Sequence, residues 1–287
     1  MIAIEELVPD PSVSALTETE FLKFAQLIEQ EIGIQLSEAK RPLLVSRLTR
    51  RIRRLALRSF DEYFDHIVSG DDPGEKVAMY DAITTNETRF FREPHHFEIM
   101  ASRIFPRWKE QAAAGERARS IRVWSAGCSS GEEPYSIAMT LLEHFDPGQW
   151  ELRVDATDLS TRVLEKAREG VWPLSKASGI PAAHLRRFML RGTRSQQGFF
   201  KAGAELREIV RFARLNLSDE RYGLSAGYDM VFCRNVLIYF GQSLRRRVVA
   251  NLLSHARPGG YFFIGHAETL SGLAEGPVTI GPTVYVK

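Results

Sequence analysis

The stretch 121–139, IRVWSAGCSSGEEPYSIAM, restricts the possible folds of this chain more than any other. Its first four residues, IRVW, are rich in β-branched and aromatic side chains, which is typical of a buried strand. A loop of small residues follows at 127–131, and residues 134–142 predict a helix whose first turn suits Pro134. A strand, a Gly-rich turn and a helix in this order mark the ligand-binding corner of an open α/β sheet.

The glycine spacing in this loop narrows the choice of ligand. A dinucleotide site typically carries G-x-G-x-x-G, because backbone amides approach a pyrophosphate, whereas Gly127 and Gly131 are spaced G-x-x-x-G. Glu132 and Glu133 suit the helix dipole but would repel a phosphate. A cationic or polar ligand without phosphate therefore fits better, and S-adenosylmethionine (SAM) is such a ligand. An ordinary tight turn with a solvated acidic cap is the alternative.

Composition places the chain among soluble globular proteins. The 287 residues suffice for one large or two modest domains, and 44% apolar with 26% charged residues is an ordinary balance. No apolar run approaches the roughly 20 residues of a membrane span, and the N-terminus lacks the pattern of a signal peptide. Two cysteines, Cys128 and Cys233, make no disulfide framework, so we expect reduced thiols and a cytoplasmic protein. Cys128 as a reactive thiol is less favoured than Cys128 as a packing residue. The net charge of +2 argues against wholesale nucleic-acid binding.

The first hundred residues predict an all-helical, basic domain. Thr17 and Glu20 form a capping box for a helix that ends near Gly33, and a second helix is expected at about 42–58. Between residues 38 and 58, eight basic residues meet one acidic residue, a local charge of +7. A run this one-sided favours an acidic partner, protein or nucleic acid, over a merely solvated face. The arginines of this run are Arg41, Arg47, Arg50, Arg51, Arg53, Arg54 and Arg58.

The rest of the chain predicts a linker at 101–120, with some helix in it, and an α/β domain at 121–287. Strands are expected at 121–125, 151–157, 210–214, 229–233 and 261–264, with helical segments between several of them, which predicts mostly parallel pairing. A hairpin is expected at 278–280 and 283–286. The alternation of strands and helices is interrupted at about 173–208, where glycines flank a polar turn, so we expect a small antiparallel insertion there.

Polar residues at strand ends are the candidate ligand contacts. Asp158 follows the second strand, where an acid typically accepts hydrogen bonds from ribose hydroxyls, although it is also placed to cap the next helix. For Asp155, one alternation earlier, the alternative is a surface strand residue or a cap. Arg234 and Asn235 end the fourth strand, and Asn216 follows the third in an equivalent place. No cluster with metal-ligand spacing is visible, and no metal is expected.

Five stretches together resemble the chemotaxis receptor glutamate O-methyltransferases, the CheR family. These stretches are TTNETRFFRE (84–93), WSAGCSSGEEPYS (124–136), ATDLS (156–160), NLSD (216–219) and FCRNVLIYF (232–240). They follow the family's order and spacing over most of the chain. The resemblance implies a Rossmann-like class I SAM-dependent methyltransferase sheet with an N-terminal all-helical domain and a small antiparallel β insertion. The implied product is a glutamate γ-methyl ester, with S-adenosylhomocysteine released.

The resemblance also implies roles for individual residues. It makes Arg92 and Tyr239 the residues nearest the transferred methyl, and Arg47 and Arg53 receptor contacts, to which the charge pattern adds Arg50 and Arg54. The insertion resembles a subdomain that, in some members, docks a receptor's C-terminal pentapeptide by strand addition. There Phe199 and Phe200 replace smaller aliphatics and Lys201 stands where an Arg is familiar, which weakens the pentapeptide inference. The implied cofactor contacts are Asn86, Thr88, Arg92, Gly127, Glu133, Asp158, Asn216, Leu217, Arg234 and Asn235. The implied peptide contacts are Arg191, Gly192, Gly198 and Lys201.

This reading requires no general base, because a glutamate side chain with a reference pKa near 4.3 is already ionised at pH 7. Paired histidines such as His95 and His96 are then expected to be structural. Two alternatives remain: a nucleic-acid methyltransferase, disfavoured by the missing Asn-Pro-Pro-Tyr type of motif, and a non-catalytic SAM-binding adaptor. A nicotinamide dehydrogenase is disfavoured by the glycine spacing. The expected partners are the cytoplasmic signalling domains of chemoreceptors, with no nucleic acid and no membrane insertion.

Overall fold

A computed structural model describes residues 13–287, which form two compact units. The first runs to Thr85 and also takes in Tyr239–Gly241; the second comprises Asn86–Ile238 and Gln242–Lys287. No helix within residues 13–287 is both long and apolar enough to cross a membrane.

The first unit is helical, as expected. Thr17 and Glu20 form the predicted capping box, with each backbone N–H bonded to the other side chain. The first helix ends at Gly33, whose φ of 75° is a left-handed conformation suited to glycine. Its core includes Phe24, which stacks on Tyr63 with ring centroids 6.1 Å apart. The helices are α1 (Glu18–Ile32), α2 (Arg41–Arg54), α3 (Phe60–Ser69) and α4 (Pro73–Ile83).

The second unit is built on a seven-stranded mixed sheet. Five neighbouring strands are parallel and the last two are antiparallel. The strands are β1 (Ser120–Ala126), β2 (Glu151–Asp158), β6 (Val210–Arg214), β7 (Tyr228–Cys233), β8 (Ala256–Ile264), β9 (Val278–Gly281) and β10 (Val284–Val286). Their spatial order is β6-β2-β1-β7-β8-β10-β9.

A second, three-stranded antiparallel sheet forms the predicted insertion. It contains β3 (Val171–Pro173), β4 (Met189–Arg191) and β5 (Phe199–Ala202) in the order β3-β5-β4. Phe200 is buried against Phe90 and Trp172, whereas Phe199 is exposed. The insertion thus shares its core with the main sheet of the unit.

Helices connect and flank these strands. The register confirms the expected parallel pairing of the five neighbouring strands β6, β2, β1, β7 and β8 and the expected hairpin of β9 and β10. The helices are α5 (Pro94–Ile99), α6 (Phe105–Ala113), α7 (Glu132–His144), α8 (Thr161–Glu169), α9 (Ala182–Phe188), α10 (Ala204–Ile209) and α11 (Gln242–His255).

The boundary between the units differs from the expected one. The first unit ends at Thr85 rather than near residue 100, and the segment 101–120, expected to be a linker with some helix, contains α6. Its charged and alanine-rich composition suggested a linker, but Phe105 and Trp108 of α6 are buried in the main hydrophobic core of the second unit. Strand β8 is also longer than predicted, because Pro258, Gly259 and Gly260 lie within it rather than in a preceding turn.

Candidate active site

The candidate site lies in the second unit, at the carboxyl ends of β1, β2 and β7. The loop after β1 is tied to β2, because the N–H groups of Gly127 and Cys128 both donate to the Thr157 carbonyl, at 2.8 and 2.9 Å. Gly127 has φ 82°, and a Cβ there would lie 2.5 Å from Cγ2 of Val236. The conformation and the space both require glycine, so this loop is shaped for close approach between the strand ends.

Asp158 fixes the same loop through its side chain. Its buried carboxylate accepts hydrogen bonds from the Ser129 N–H at 2.8 Å and the Ser160 N–H at 2.9 Å. The helix-capping alternative for Asp158 is wrong, since Ser160 is the N-cap of α8 and accepts from the Val163 N–H. Asp155 is buried elsewhere in the sheet against Arg153 and Tyr228, so it is neither a surface residue nor part of this site.

The two acids at the start of α7 are not a solvated cap. Glu132 is fully buried, forms an ion pair with Lys176 and accepts a hydrogen bond from Ser130 Oγ at 2.7 Å. Glu133 accepts from Ser125 Oγ at 2.7 Å and has a side chain only 13% exposed. Burial raises the pKa of Glu133, while the nearby Arg234 opposes the shift.

The segment 86–93 is clamped in an unusual backbone conformation. Phe91 and Glu93, on either side of Arg92, have φ of 50° and 58°, and each left-handed non-glycine residue costs about 1–2 kcal/mol. Ser136 holds the first through its Oγ, which accepts from the Phe91 N–H at 2.9 Å. Further along, the Glu93 carboxylate accepts from the His266 N–H at 2.9 Å. Backbone strain that tertiary hydrogen bonds maintain on both sides of one residue, here Arg92, is typical of a functional site.

Arg234 joins this segment to the end of β7. Its guanidinium donates to the carbonyl of Arg92 and forms ion pairs with Glu93 at 3.3 Å and Glu133 at 3.5 Å. The Arg234 side chain is only 2% exposed. Arg234 is thus shared between two carboxylates, and the positive charge of Arg92 also acts on Glu133.

Asn235 follows in a left-handed conformation, with φ 60°. Its N–H donates to the Glu268 carboxylate at 2.9 Å. Its side-chain Oδ1 is buried and, among residues 13–287, has no hydrogen-bond partner. A buried acceptor without a donor is costly unless a ligand supplies one.

Two family models match this chain. The first, "CheR methyltransferase, SAM binding domain", matches residues 86–285, and the second, "CheR methyltransferase, all-alpha domain", matches residues 19–84. The chain belongs to the CheR methyltransferase family. The change from one model to the other falls at the boundary between the two compact units.

Curated relatives extend the match to almost the whole chain. "Chemotaxis protein methyltransferase 2" of Pseudomonas aeruginosa is 40% identical over 272 residues, which cover 94% of this chain and 93% of that protein. "Chemotaxis protein methyltransferase" of Escherichia coli is 39% identical over 273 residues, covering 94% and 91%. A solved structure, the glycopeptide N-methyltransferase MtfA complexed with SAM, matches 62% of each chain with 19% identity and a TM-score of 0.33.

The cofactor of this CheR family enzyme is therefore SAM, and the residues present fit it. SAM carries ammonium, adenine-amine and hydroxyl donors, and the site offers Asp158 and the unpartnered Oδ1 of Asn235 as acceptors. Within residues 13–287, no group of three or more His, Cys, Asp or Glu side chains could hold a metal ion.

The remaining predicted cofactor contacts surround the same strand ends. Asn216 and Leu217 follow β6, where the Asn216 amide oxygen accepts from the Ser218 N–H at 3.0 Å and Leu217 is buried. The Asn86 carbonyl accepts from Ser129 Oγ at 2.8 Å, which brings the segment that also contains Thr88 to the loop after β1. Contact of each residue with SAM remains a prediction.

Tyr239 lies in the first unit. Its carbonyl accepts from the Gln35 N–H at 3.0 Å, and the ammonium of Lys40 lies 5.5 Å from its ring centroid. Its predicted place beside the transferred methyl stays a prediction.

The predicted receptor arginines fall into two groups. Arg47 is half-buried and donates to the carbonyls of Ile83 and Thr84, so it joins α2 to the end of α4. Arg50, Arg53 and Arg54 are exposed. Contact of either group with a receptor stays a prediction.

In the insertion, Arg191 ends β4 and Lys201 lies in β5, with the turn from Gly192 to Gly198 between them. The Gly192 N–H donates to the Phe199 carbonyl at 2.9 Å, and Gly198 has φ 93°. Strand β4 is an edge strand of its sheet and carries the exposed Leu190. An edge of this kind is compatible with strand addition.

Sequence reasoning missed several residues that organise the site. Glu93 lies in the stretch 84–93, but the resemblance implies no role for it, and no pattern in the sequence predicts a role for Ser129, Ser136 or Glu268. Ser129 and Ser136 both lie within the motif 124–136, so their hydroxyls were visible as candidates. Glu268 acts on a turn 33 residues away, and no local pattern signals such a contact.

Proposed function

We propose that this CheR family enzyme transfers the methyl group of SAM to glutamate side chains in the cytoplasmic signalling domains of chemoreceptors. The observation that supports this most is that Arg234 holds the Arg92 segment, through the Arg92 carbonyl and Glu93, at the strand ends to which we assign the SAM contacts. The named relatives are chemotaxis protein methyltransferases at about 40% identity. The enzyme would act in the cytoplasm, where those receptor domains lie.

Methyl transfer to a carboxylate requires the protein to align the two reactants but does not require a general base. When bound, SAM supplies a methyl group on a sulfonium leaving group. A carboxylate oxygen of the acceptor would bond to the methyl carbon as the carbon–sulfur bond breaks, and the bonding pair would stay on sulfur. The acceptor is ionised at pH 7, so no side chain of this chain has to remove a proton. Alignment of two bound reactants lowers a barrier by about 7–11 kcal/mol in favourable cases.

Arg92 is the residue that we assign to orienting the acceptor. Its guanidinium donates to the Glu87 carbonyl at 3.3 Å, and a guanidinium carries five N–H groups. Charge disappears in the transition state as carboxylate and sulfonium neutralise each other. A strong ion pair between Arg92 and the acceptor would therefore stabilise the ground state more than the transition state and slow the reaction. Arg92 would align the carboxylate without fully pairing with it, and Tyr239 would help to position the reacting atoms.

Two surfaces are proposed to recognise the receptor. The exposed Arg50, Arg53 and Arg54 of α2 would attract acidic receptor helices, and this attraction would weaken with salt. The edge of β4, with Arg191 and Gly192, would accept a receptor's C-terminal pentapeptide as an added strand. Receptor fragments with and without their last five residues test the second surface, because loss of affinity on truncation is expected only if the edge is used.

The direct test is methyl transfer from labelled SAM to a purified receptor cytoplasmic fragment. We expect label that mild base releases as methanol, since a glutamyl ester is base-labile. Arg92→Ala should lower the single-turnover rate, whereas Arg89→Ala, an exposed arginine of the same segment, should not. Base-stable label, or label in added nucleic acid rather than in the receptor, would contradict the proposal. SAM binding without turnover on any receptor would favour an adaptor.

A further inference from the structure

Glu268 joins two of the turns at the carboxyl end of the main sheet. Its Oε2 accepts hydrogen bonds from the Asn235 N–H at 2.9 Å and the Gly265 N–H at 2.6 Å. Its Oε1 accepts from the Ile238 N–H at 3.3 Å. The first and third donors belong to the turn after β7 and the second to the turn after β8. One carboxylate therefore holds both turns by charge-assisted bonds.

These bonds act on a backbone that needs support. Asn235 is in the left-handed region, with φ 60°, which costs about 1–2 kcal/mol for a residue with a Cβ. The two turns also touch: a Cβ on Gly265 would lie 2.7 Å from the backbone nitrogen of Asn235 and 2.5 Å from its side-chain nitrogen. The glycine allows the approach, and Glu268 supplies the acceptor that the crowded N–H groups require.

The side chain whose position depends on this arrangement is that of Asn235, which contains a buried acceptor atom. Oδ1 of Asn235 is buried and lacks a partner among the described residues. Its direction is set by the backbone that Glu268 holds. Oδ1 of Asn235 can accept a hydrogen bond from a ligand only while the Asn235 backbone stays in the left-handed conformation, because relaxation of the backbone would move the side chain.

We propose that Glu268 is a positioning residue for the cofactor site, which acts by locking the Asn235 turn so that the Asn235 amide meets SAM and S-adenosylhomocysteine. It does not touch the reacting atoms. The inference rests on the proposed contact between Asn235 and the cofactor. It assigns to Glu268 a role in cofactor affinity, beyond its contribution to folding.

The experiment is a double-mutant cycle on the binding of S-adenosylhomocysteine, measured by calorimetry on the full chain. Glu268→Gln keeps the shape of the side chain but removes its charge and one acceptor oxygen. Asn235→Ala removes the side-chain amide that we expect to contact the ligand. Each single variant should raise the dissociation constant about tenfold. The double variant should be little weaker than either single variant, because the contact is already lost in each. Glu275→Gln removes the same charge from an exposed position after β8 and should change affinity less than twofold.

The outcomes separate this inference from the proposed cofactor site. If Asn235→Ala binds as tightly as the original chain, the Asn235 contact is wrong and the role of Glu268 falls with it. If Asn235→Ala weakens binding but Glu268→Gln does not, or if the two effects multiply, only the positioning role is wrong. A merely structural role of Glu268 predicts the multiplicative result. If Glu268→Gln does not fold, Glu268→Asp takes its place in the cycle, since the shorter carboxylate cannot reach both turns.

Discussion

Arg234 donates a hydrogen bond to the carbonyl oxygen of Arg92, so the residue that follows strand β7 fixes the peptide of the residue that we place nearest the acceptor. The same guanidinium pairs with Glu93 and Glu133. Substrate-orienting and cofactor-binding parts of the site are thus held by one buried cation. A change at this cation is expected to affect stability and binding together.

Replacement of Arg234 by Met should destabilise the second unit strongly. It leaves Glu93 and Glu133 buried without their cation, and removal of one partner of a buried ion pair costs about 3–5 kcal/mol. Urea unfolding followed by tryptophan fluorescence measures this cost. Adding Glu93→Gln to Arg234→Met should recover part of the lost stability, because one uncompensated charge is removed. A double variant less stable than Arg234→Met would contradict the proposed charge balance.

Asp158 and Asp155 provide a matched pair of positions for substitution, since both are buried aspartates of strand β2. Asp158→Asn turns an amide N–H toward the Ser129 or Ser160 N–H that the carboxylate accepts from. It should raise the dissociation constant of S-adenosylhomocysteine at least about tenfold, or about 1.4 kcal/mol. Asp155→Asn removes the charge that pairs with Arg153 and one of the two oxygens that accept from Arg153 and Tyr228, and it should lower stability with little effect on affinity. Equal losses of affinity in both variants would argue against a special role for Asp158.

His96 should make the stability of the second unit depend on pH. It is fully buried, with Nε2 2.8 Å from Thr283 Oγ1. Its burial, reinforced by the positive charge of Arg234, lowers its pKa to about 2. The folded chain then keeps His96 neutral below pH 6.5 while the unfolded chain protonates, so stability is lost as pH falls from about 6.5 toward 2.

Between pH 7.5 and 5.5 this single residue should remove about 1.4 kcal/mol from the free energy of unfolding. The measurement is urea unfolding at both pH values for the original chain, His96→Gln and His266→Gln. The pH dependence should shrink by that amount in His96→Gln only, since His266 is exposed. If the pH dependence of stability in His96→Gln equals that of the original chain, His96 protonates as readily in the folded chain as in the unfolded chain, which would contradict the prediction.

The exposed arginines of α2 should control the salt dependence of receptor methylation. Replacing Arg50, Arg53 and Arg54 by Gln should raise the KM for a receptor fragment several-fold at low salt and change it little at high salt, where the Debye length falls to about 3 Å. Arg47→Gln should act mainly on stability, because Arg47 bonds backbone carbonyls of α4 and the residue after it.

The control for this prediction is a triple variant with the same loss of charge at exposed positions of the second unit. It should keep the salt dependence of the original chain. The same loss of dependence in both triple variants would show that net charge, and not the α2 surface, governs association. The control positions are Arg107, Arg211 and Arg221.

Local signals in the sequence predicted the elements that local bonds determine. The capping box of Thr17 and Glu20 and the left-handed Gly33 delimit α1 without help from the rest of the chain. Strand β6 begins and ends where predicted, and the parallel order follows from the alternation of strands and helices. The loop of Gly127 and the acid Asp158 were recognisable because the chemistry of the site depends on their spacing from the strand ends.

Contacts distant in sequence were not predictable in the same way. The sequence predicts a linker with some helix at 101–120 but does not predict that α6 joins the core, because the burial of Phe105 and Trp108 depends on residues that follow in the sheet. The left-handed Phe91 and Glu93 depend on Ser136 and His266. Such strained positions break local rules because tertiary bonds hold them, which is why they mark the site.

Alignment of two charged reactants without a general base is the central claim, and the pH dependence of the single-turnover methylation rate tests it most directly. SAM and a receptor cytoplasmic fragment, both bound at saturation, would be mixed between pH 6.5 and 9 and the base-released methanol counted. The account predicts a nearly constant rate over this range, because the acceptor carboxylate is already ionised. A rate that rises about tenfold per pH unit, as expected for removal of a proton before the methyl moves, would contradict it.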